Sequence, residues 1–209
     1  WSHTNIPSPL SPSWIALDKN TGELLGEDGS GASENALHAA WSSLTYGKVE
    51  GEEILVWGGT DGFCYGYPTE TKSDEDGYEL FIPKWKVDCN EPHYRIDKSG
   101  KKVPYATPPG PSELIGTPVL YDDKIYVAIG QDPEHGDGVG RLSCIDVKSG
   151  KVLWKYTEAG RTISTVSVMD DLVYLAEYAG IIHCLDAQTG KVYWTYDSFS
   201  RIWGSTLVV

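Results

Sequence analysis

The chain has 209 residues, of which 40% are hydrophobic and 22% are charged, proportions typical of a globular domain with a substantial core. Acidic residues outnumber basic ones by 30 to 17, and the net charge of -13 repels nucleic-acid phosphates and anionic lipid headgroups, so neither is expected as a partner. No apolar run approaches the roughly 20 residues of a membrane-spanning helix, and the chain begins at Trp1 without the pattern of a signal peptide. We interpret it as a mature, trimmed or partial sequence.

Short runs of β-branched and aromatic residues, separated by turn residues, follow one another along the chain and predict β-strands throughout. A full unit of this pattern has four such runs, as one antiparallel meander would. In chain order the sequence predicts a partial unit at 14–26, a full unit at 41–86, an inserted loop at 87–114, full units at 115–156 and 163–196, and a single first strand at 203–209.

The clearest repeat is a fifteen-residue phrase, which reads GRLSCIDVKSGKVLW at 140–154 and GIIHCLDAQTGKVYW at 180–194. A second pattern lies upstream of the phrase and begins each unit. Its corresponding positions are 41, 115, 163 and 203, which are 74, 48 and 40 residues apart. The basic period is therefore about 40 residues, and the longer steps contain insertions.

Turn residues within the phrase define hairpins. Asp146 and Asp186 can accept backbone N–H bonds across the turn, and Gly150 and Gly190 can adopt the positive φ of a bulged hairpin. A lone four-stranded sheet has two apolar faces, so copies must stack, and a period of about 40 favours stacking around an axis. We predict an all-β fold, a β-propeller of four-stranded antiparallel blades. The chain either closes a small ring or, as we favour, forms an incomplete part of a larger one.

The pattern G-x-x-x-[A/C]-[L/I]-D-x-x-[S/T]-G-K-V-x-W resembles the tryptophan-docking repeat of the pyrroloquinoline-quinone-like (PQQ-like) propellers. That family includes quinoprotein dehydrogenases and the lipoprotein scaffold of the outer-membrane-protein assembly machinery. The resemblance implies that each indole lies across the turn glycine of a neighbouring blade. It assigns this structural docking to Asp146, Gly150, Trp154, Asp186, Gly190 and Trp194.

Strand order predicts which loops share a face. If the four strands of a blade run outward from the axis, the tight hairpin turns lie on one face and the remaining connections lie on the other. The long segments 27–40, 87–114 and 131–139 all fall on the second face. Convergence of long loops indicates a binding face.

Metal binding has weak support in the sequence. The four cysteines, 25, 55 and 40 residues apart, include no Cys-x-x-Cys pair, and Cys144 and Cys184 hold equivalent repeat positions that suit core packing. An acidic glycine-rich loop offers oxygen ligands for Ca²⁺, although such loops are more often solvated turns, and no metal is expected. Its candidate ligands are Asp132, Glu134, His135 and Asp137.

Charged residues lie two positions before the first strand in three successive units, at Glu113, Arg161 and Arg201. In a propeller this position is near the mouth of the axis, where two arginines could bind an anionic ligand or a carboxylate-bearing quinone. The alternative is that the arginines pair with Glu113 or with other neighbours.

Aromatic and basic residues cluster on two inserted loops, at His38, Trp41, His93, Tyr94 and Arg95. Aromatic residues with arginine are typical of protein–protein interfaces. Large rings also anchor long loops to the surface on which they lie. Both interpretations stay open for this group.

The resemblance implies two functions of different classes. A PQQ-dependent dehydrogenase of alcohols or sugars would need a planar quinone, a Ca²⁺ or lanthanide ion held by carboxylates and an amide, and an aspartate base. The sequence has no adjacent cysteine pair of the kind that covers the quinone in many such enzymes, so PQQ with Ca²⁺ is the alternative. We predict a non-catalytic scaffold without a cofactor, which presents loops to a protein partner. The family implies a periplasmic or otherwise extracytoplasmic location of bacterial type.

Overall fold

The computed structural model describes residues 8, 10–107, 110–136 and 138–209. Within these ranges sixteen strands form four sheets of four strands each, which confirms the predicted all-β propeller fold. Helical structure in the same ranges is limited to one turn of α-helix, α1 (Pro92–Arg95), and two 3-10 turns at Ala32–Asn35 and Pro133–His135. No helix in this part of the chain is long and apolar enough to cross a membrane.

The four sheets follow the units of the sequence, with one exchange between the first two. The first sheet has the order β1 (Ile15–Leu17), β2 (Leu24–Asp28), β7 (Glu79–Phe81), β6 (Lys72–Ser73). The second has the order β3 (Thr45–Val49), β4 (Glu52–Gly58), β5 (Phe63–Tyr67), β8 (Trp85–Asp88). The third consists of β9 (Val119–Tyr121), β10 (Lys124–Ile129), β11 (Arg141–Asp146) and β12 (Val152–Tyr156), and the fourth of β13 (Ser167–Met169), β14 (Leu172–Ala176), β15 (Ile181–Asp186) and β16 (Val192–Asp197).

The exchange concerns the acidic insertion that precedes Trp85. This segment forms the hairpin β6–β7, which leaves its own unit and adds to the edge of β2 in the first sheet. The strands β2 and β7 run parallel, with Glu27 opposite Leu80 and Asp28 opposite Phe81. Pairing satisfies the backbone groups of β2 that a free sheet edge would leave unpaired. Residues 72–81 of the unit at 41–86 therefore belong structurally to the first sheet.

Inner sheets bury both of their faces. In β10, Ile125 and Val127 pack against β4 and β5 of the second sheet, whereas Tyr126 and Ala128 pack against β14 and β15 of the fourth. This alternation follows from the two-residue period of a strand. A third apolar cluster joins the first and second sheets and contains Ala32, Trp57, Tyr65, Tyr67 and Phe81.

The cysteines belong to this interior. All four are free thiols and all four are buried. Burial raises the pKa of Cys89 to about 12, so its thiol stays protonated and unreactive at neutral pH. These positions therefore have a packing role.

Tryptophans on the last strands join neighbouring sheets. Trp85 donates from Nε1 to the carbonyl of Val147 at 2.9 Å, and Trp154 donates to that of Ala187 at 3.0 Å. The Trp154 ring lies on Gly190, where a Cβ atom would approach Cε3 to 2.5 Å, and Trp85 lies on Gly150 in the same way. Trp194, in the equivalent position of the fourth sheet, is 47% exposed.

Hydroxyl groups link the innermost strands. The strand β9 contacts both β3 and β13, as the first strands of adjacent blades do. Thr117 Oγ1 accepts from Ser43 N at 3.3 Å, Thr165 Oγ1 from Thr117 N at 3.0 Å, and Ser205 Oγ from Thr165 N at 3.1 Å. These residues keep the spacing of the sequence repeat. Residues 203–209, predicted as a first strand, have no regular strand structure. They lie beside β13, where Ser164 and Ser167 donate their hydroxyl groups to the carbonyls of Gly204 and Thr206.

The hairpin turns have the geometry that their sequence predicts. Asp146 Oδ1 accepts from Ser149 N at 2.8 Å and from Ser149 Oγ at 2.5 Å, and Gly150 has a φ of 69°. In the same way, Asp186 Oδ1 accepts a hydrogen bond from Thr189 N at 2.8 Å, and Gly190 has a φ of 71°. Hydrogen bonds from the Ser149 side chain and backbone lower the pKa of Asp146.

The lowered pKa of Asp146 predicts a pH-dependent contribution to stability. An aspartate whose pKa is depressed on folding stabilises the protein above its unfolded value of 3.8, and this contribution is lost as the pH falls through the folded value. Asp146→Asn is expected to lower the free energy of unfolding at neutral pH by up to about 1 kcal/mol, because the turn is exposed to solvent. Urea unfolding across acid and neutral pH measures the difference. A difference that stays constant with pH would contradict the prediction.

Gly190→Ala tests the contact between neighbouring blades. The added Cβ meets the Trp154 ring and must also adopt a positive φ, so we expect a loss of about 2–4 kcal/mol in the free energy of unfolding. Gly22→Ala is the matched control, because Gly22 has a φ of 75° in an equivalent turn but no atom within 4 Å of the Cβ position. Its expected loss is about 1 kcal/mol. Equal losses in urea unfolding would show that the indole contact is unimportant.

Candidate functional site

The three long loops predicted to share a face meet through aromatic rings. His38 of the segment 27–40 stacks on Tyr105 of the segment 87–114, with ring centroids 5.9 Å apart and an interplanar angle of 16°. The His38 ring also lies 4.7 Å from that of His135, which belongs to the segment 131–139. The predicted convergence of the loops is therefore present in the structure.

Two carboxyl groups lie beside these rings. His38 Nε2 is 3.9 Å from Asp132 Oδ2, and His38 Nδ1 is 3.9 Å from Glu113 Oε1. His135 Nδ1 is 3.3 Å from the same Asp132 oxygen. We call this group, His38, Tyr105, Glu113, Asp132 and His135, the loop cluster.

Local hydrogen bonds orient Asp132 and His135. Asp132 precedes the 3-10 turn Pro133–His135 and caps it, since its Oδ1 accepts from Glu134 N at 2.9 Å. The buried side chain of Gln131 donates to the carbonyl of His135 at 2.5 Å. One oxygen of Asp132 is thus used by the turn, and the other faces both imidazoles.

Glu113 is the most buried member of the loop cluster, with 0% of its surface exposed. Tyr105 donates its hydroxyl to Glu113 Oε1 at 3.1 Å, and Oε2 has no hydrogen-bond partner among the residues that the structure describes. Burial raises the pKa of Glu113 to about 8. Burial together with the neighbouring Glu113 also raises the pKa of Tyr105. A carboxyl group that water would normally solvate is therefore held in a dry environment.

The loop cluster combines candidates that the sequence placed in separate groups. Of the four residues proposed as Ca²⁺ ligands, Asp132 and His135 belong to the cluster, Glu134 is exposed, and Asp137 lies outside the described residues. His38 comes from the set proposed for partner binding. Tyr105 is not among the residues predicted for a site, because no spacing pattern marks it.

The two arginines proposed for the axis mouth both contact Tyr178. The guanidinium carbon of Arg161 lies 4.6 Å from the Tyr178 ring centroid, and that of Arg201 lies 5.3 Å from it. Arg201 Nη1 also bonds the Tyr178 hydroxyl at 3.0 Å, and Arg161 donates to the carbonyl of Gly136. The arginines therefore pair with neighbours other than Glu113.

Some of the aromatic and basic residues proposed for partner binding are exposed at the surface, and others hold their loop against the core. Trp41 is 56% exposed, stacks on His38 at 6.2 Å and donates to His38 Nδ1 at 3.3 Å. His93 is exposed on α1, where its ring contacts Tyr94 at 4.4 Å. Tyr94 packs against the core between the second and third sheets. Trp41 and His93 are thus available at the surface, and Tyr94 anchors its loop.

Arg95 is also an anchor. Its Nε and Nη2 donate to both oxygens of Asp88 at 2.5 and 2.7 Å, and Nη2 donates to the carbonyl of Asp61 at 2.8 Å. Its guanidinium carbon lies 4.7 Å from the centroid of the Phe63 ring. These contacts tie the inserted loop to the second sheet.

Four four-stranded sheets packed face to face, with long loops that meet on one face, define the chain as part of a β-propeller. A family model described as "Outer membrane protein assembly factor BamB" matches residues 85–207, more than half of the chain. The chain belongs to this family of PQQ-like repeat proteins. No curated protein sequence matches it at a significant level.

Solved structures share the fold at low sequence identity. BamB from Moraxella catarrhalis has a TM-score of 0.55 and 16% identity, over 89% of this chain and 46% of its own. The quinohemoprotein alcohol dehydrogenase from Comamonas testosteroni has a TM-score of 0.63 and 14% identity, over 91% of this chain and 36% of its own. Sqt1 from Saccharomyces cerevisiae has a TM-score of 0.55 and 12% identity, over 87% and 40%. The chain spans less than half the length of each, consistent with an incomplete propeller.

Arg95→Lys tests the anchoring of the inserted loop. Lysine keeps the charge but cannot form the two-pronged bond to Asp88, so we expect the free energy of unfolding to fall by about 1–3 kcal/mol. His93→Ala, two positions earlier on an exposed side chain, is the matched control and should change it by less than about 0.5 kcal/mol. Thermal unfolding of both variants provides the comparison. Equal stability of Arg95→Lys and the unmodified chain would refute the anchoring role.

Proposed function

We propose that the chain is a non-catalytic PQQ-like propeller scaffold that acts outside the cytoplasm and binds a protein partner through its loop-bearing face. The observation that carries this proposal is the meeting of three long loops in the loop cluster beneath an exposed tryptophan, Trp41. Membership of a family described as an outer membrane protein assembly factor supports a role in assembly.

The physical character of the face suits protein binding. The loops are held by specific contacts, such as Tyr105 with Glu113 and Arg95 with Asp88, so little ordering entropy would be lost when a partner binds. Exposed aromatic side chains such as Trp41 contribute a large share of the free energy at protein interfaces. With a net charge of -13, the chain would favour a partner with a basic contact surface.

A quinoprotein dehydrogenase is the second candidate, supported by the fold shared with the quinohemoprotein alcohol dehydrogenase. An anionic quinone at the axis would have to bind Arg161 and Arg201. Both guanidinium groups already lie against Tyr178, which leaves this proposal with less support than the scaffold. A bound quinone or haem would give the protein purified from its source a visible absorption, and a colourless preparation would argue against the enzyme.

Site-specific photo-crosslinking tests the proposed binding face. A photoreactive phenylalanine analogue at Trp41 or His93, introduced into the protein in its native host, is expected to yield a discrete cross-linked product. The matched control is the same analogue at Lys19, an exposed residue of a hairpin turn on the predicted opposite face. Point replacement is preferred to loop deletion, because Cys89 and Leu114 near the ends of the insertion are buried in the core. No product from Trp41 and His93, or equal yield from Lys19, would refute the assignment.

A further inference from the structure

We propose that the loop cluster binds one divalent transition-metal ion of the Zn²⁺ type through His38, Asp132 and His135. One ring nitrogen of each histidine and one carboxylate oxygen of Asp132 lie within 4.8 Å of one another. Two imidazoles and a carboxylate are a donor set found in zinc sites that keep a fourth position open for water or another ligand. The inference stands independently of the scaffold role.

The distances are close to those of a metal-bound site. Ligand bonds of about 2.0–2.1 Å in a tetrahedral arrangement place neighbouring donor atoms about 3.3 Å apart. Asp132 Oδ2 and His135 Nδ1 already have a separation of 3.3 Å. His38 Nε2 is 3.9 Å from the same oxygen, and the three donor atoms lie within 4.8 Å of one another, so the His38 ring has to move closer to the other two when the ion binds.

The orientation of Asp132 is fixed before any ion binds. Its Oδ1 accepts the backbone N–H of Glu134, while Oδ2 faces the two histidines. A carboxylate held in this way binds a metal without first losing side-chain freedom. His135 follows on the same short turn, and Gln131 holds its carbonyl.

Glu113 gives a second, independent indication of a bound cation. Its side chain is fully buried, and its Oε2 lacks a hydrogen-bond partner among the described residues. Its Oε1 lies 3.9 Å from Nδ1 of His38, the ring nitrogen opposite the one that faces Asp132. Carboxylates at such positions accept the second ring N–H of histidine ligands and orient them. With an ion on Nε2, the proton of His38 would lie on Nδ1 and point to Glu113, in place of the Trp41 N–H that Nδ1 accepts in this structure. A dication would also balance the carboxyl groups of Glu113 and Asp132.

The donor atoms select the class of metal. Imidazole nitrogens suit Zn²⁺, Cu²⁺, Ni²⁺ and Fe²⁺, whereas Ca²⁺ and Mg²⁺ take predominantly oxygen ligands. The participation of His38 and His135 therefore favours a transition metal over the Ca²⁺ considered for the acidic loop. Zn²⁺ is a suitable probe because it has no redox chemistry and tolerates several geometries.

Calorimetric titration of the metal-free protein with Zn²⁺ tests the proposal. We expect one Zn²⁺ per chain, removable by EDTA, and no binding of Ca²⁺ at the same concentration. His38→Gln and His135→Gln should each lower the Zn²⁺ affinity by more than the 10- to 100-fold typical of outer-shell changes, and Glu113→Gln by about 10- to 100-fold. His93→Gln is the matched control, since this exposed histidine lies outside the loop cluster, and its affinity should be unchanged.

Visible absorption of the Co²⁺ complex provides a second measurement. The unmodified protein and His93→Gln should show the d–d bands of a low-symmetry Co²⁺ site, and His38→Gln and His135→Gln should lose them, while circular dichroism shows that each variant remains β-rich. Absence of a one-to-one Zn²⁺ complex in the unmodified protein would overturn the proposal. Undiminished affinity in folded His38→Gln and His135→Gln, or an equal loss in His93→Gln, would do so as well.

Discussion

The packing of each sheet against the next is the interaction on which the rest of this molecule depends. Strands such as β10 carry large apolar side chains on both faces, so a sheet of this kind is stable only between neighbours. Two kinds of contact align neighbouring sheets. At the outer edge an indole packs over a glycine turn of the next sheet, and at the inner edge hydroxyl groups accept hydrogen bonds between the first strands. This repeated frame holds the long loops in fixed positions, and the candidate site consists entirely of such loops.

Much of the frame could be predicted from the sequence, because its determinants are local and repeated. Asp146 with Gly150 and Asp186 with Gly190 specify the same turn twice, and strand alternation specifies which side chains are buried. Trp85 lies outside the repeated phrase, since the acidic hairpin separates it from the rest of its unit. Its indole nevertheless contacts Gly150 as Trp154 contacts Gly190. The pairing of β7 with β2 leaves no signal in the spacing of residues, so periodicity could not predict it.

For the candidate site, the sequence predicts only the face of the propeller on which it lies. Strand order placed three loops together, but it could not show which residues of different loops meet. The sequence therefore groups candidates by repeat position, by loop or by residue type, whereas the structure joins His38, Glu113 and Asp132, each from a different group. Arg95 illustrates the same limit, because its pairing with Asp88 depends on how the inserted loop folds back on the second sheet. Contacts between loops arise from tertiary packing, which a single sequence does not encode as a pattern.

The hairpin β6–β7 has a consequence for how the propeller opens. The chain leaves the second sheet after β5, pairs with β2 in the first, and returns to the second as β8. Two short segments of chain, 68–71 and 82–84, therefore join the sheets, so that opening of one strains the strands of the other and couples their free energies of local opening. In amide hydrogen exchange the strands of these two sheets would then show similar protection, whereas the third and fourth sheets, each a continuous meander, exchange no strand with a neighbour.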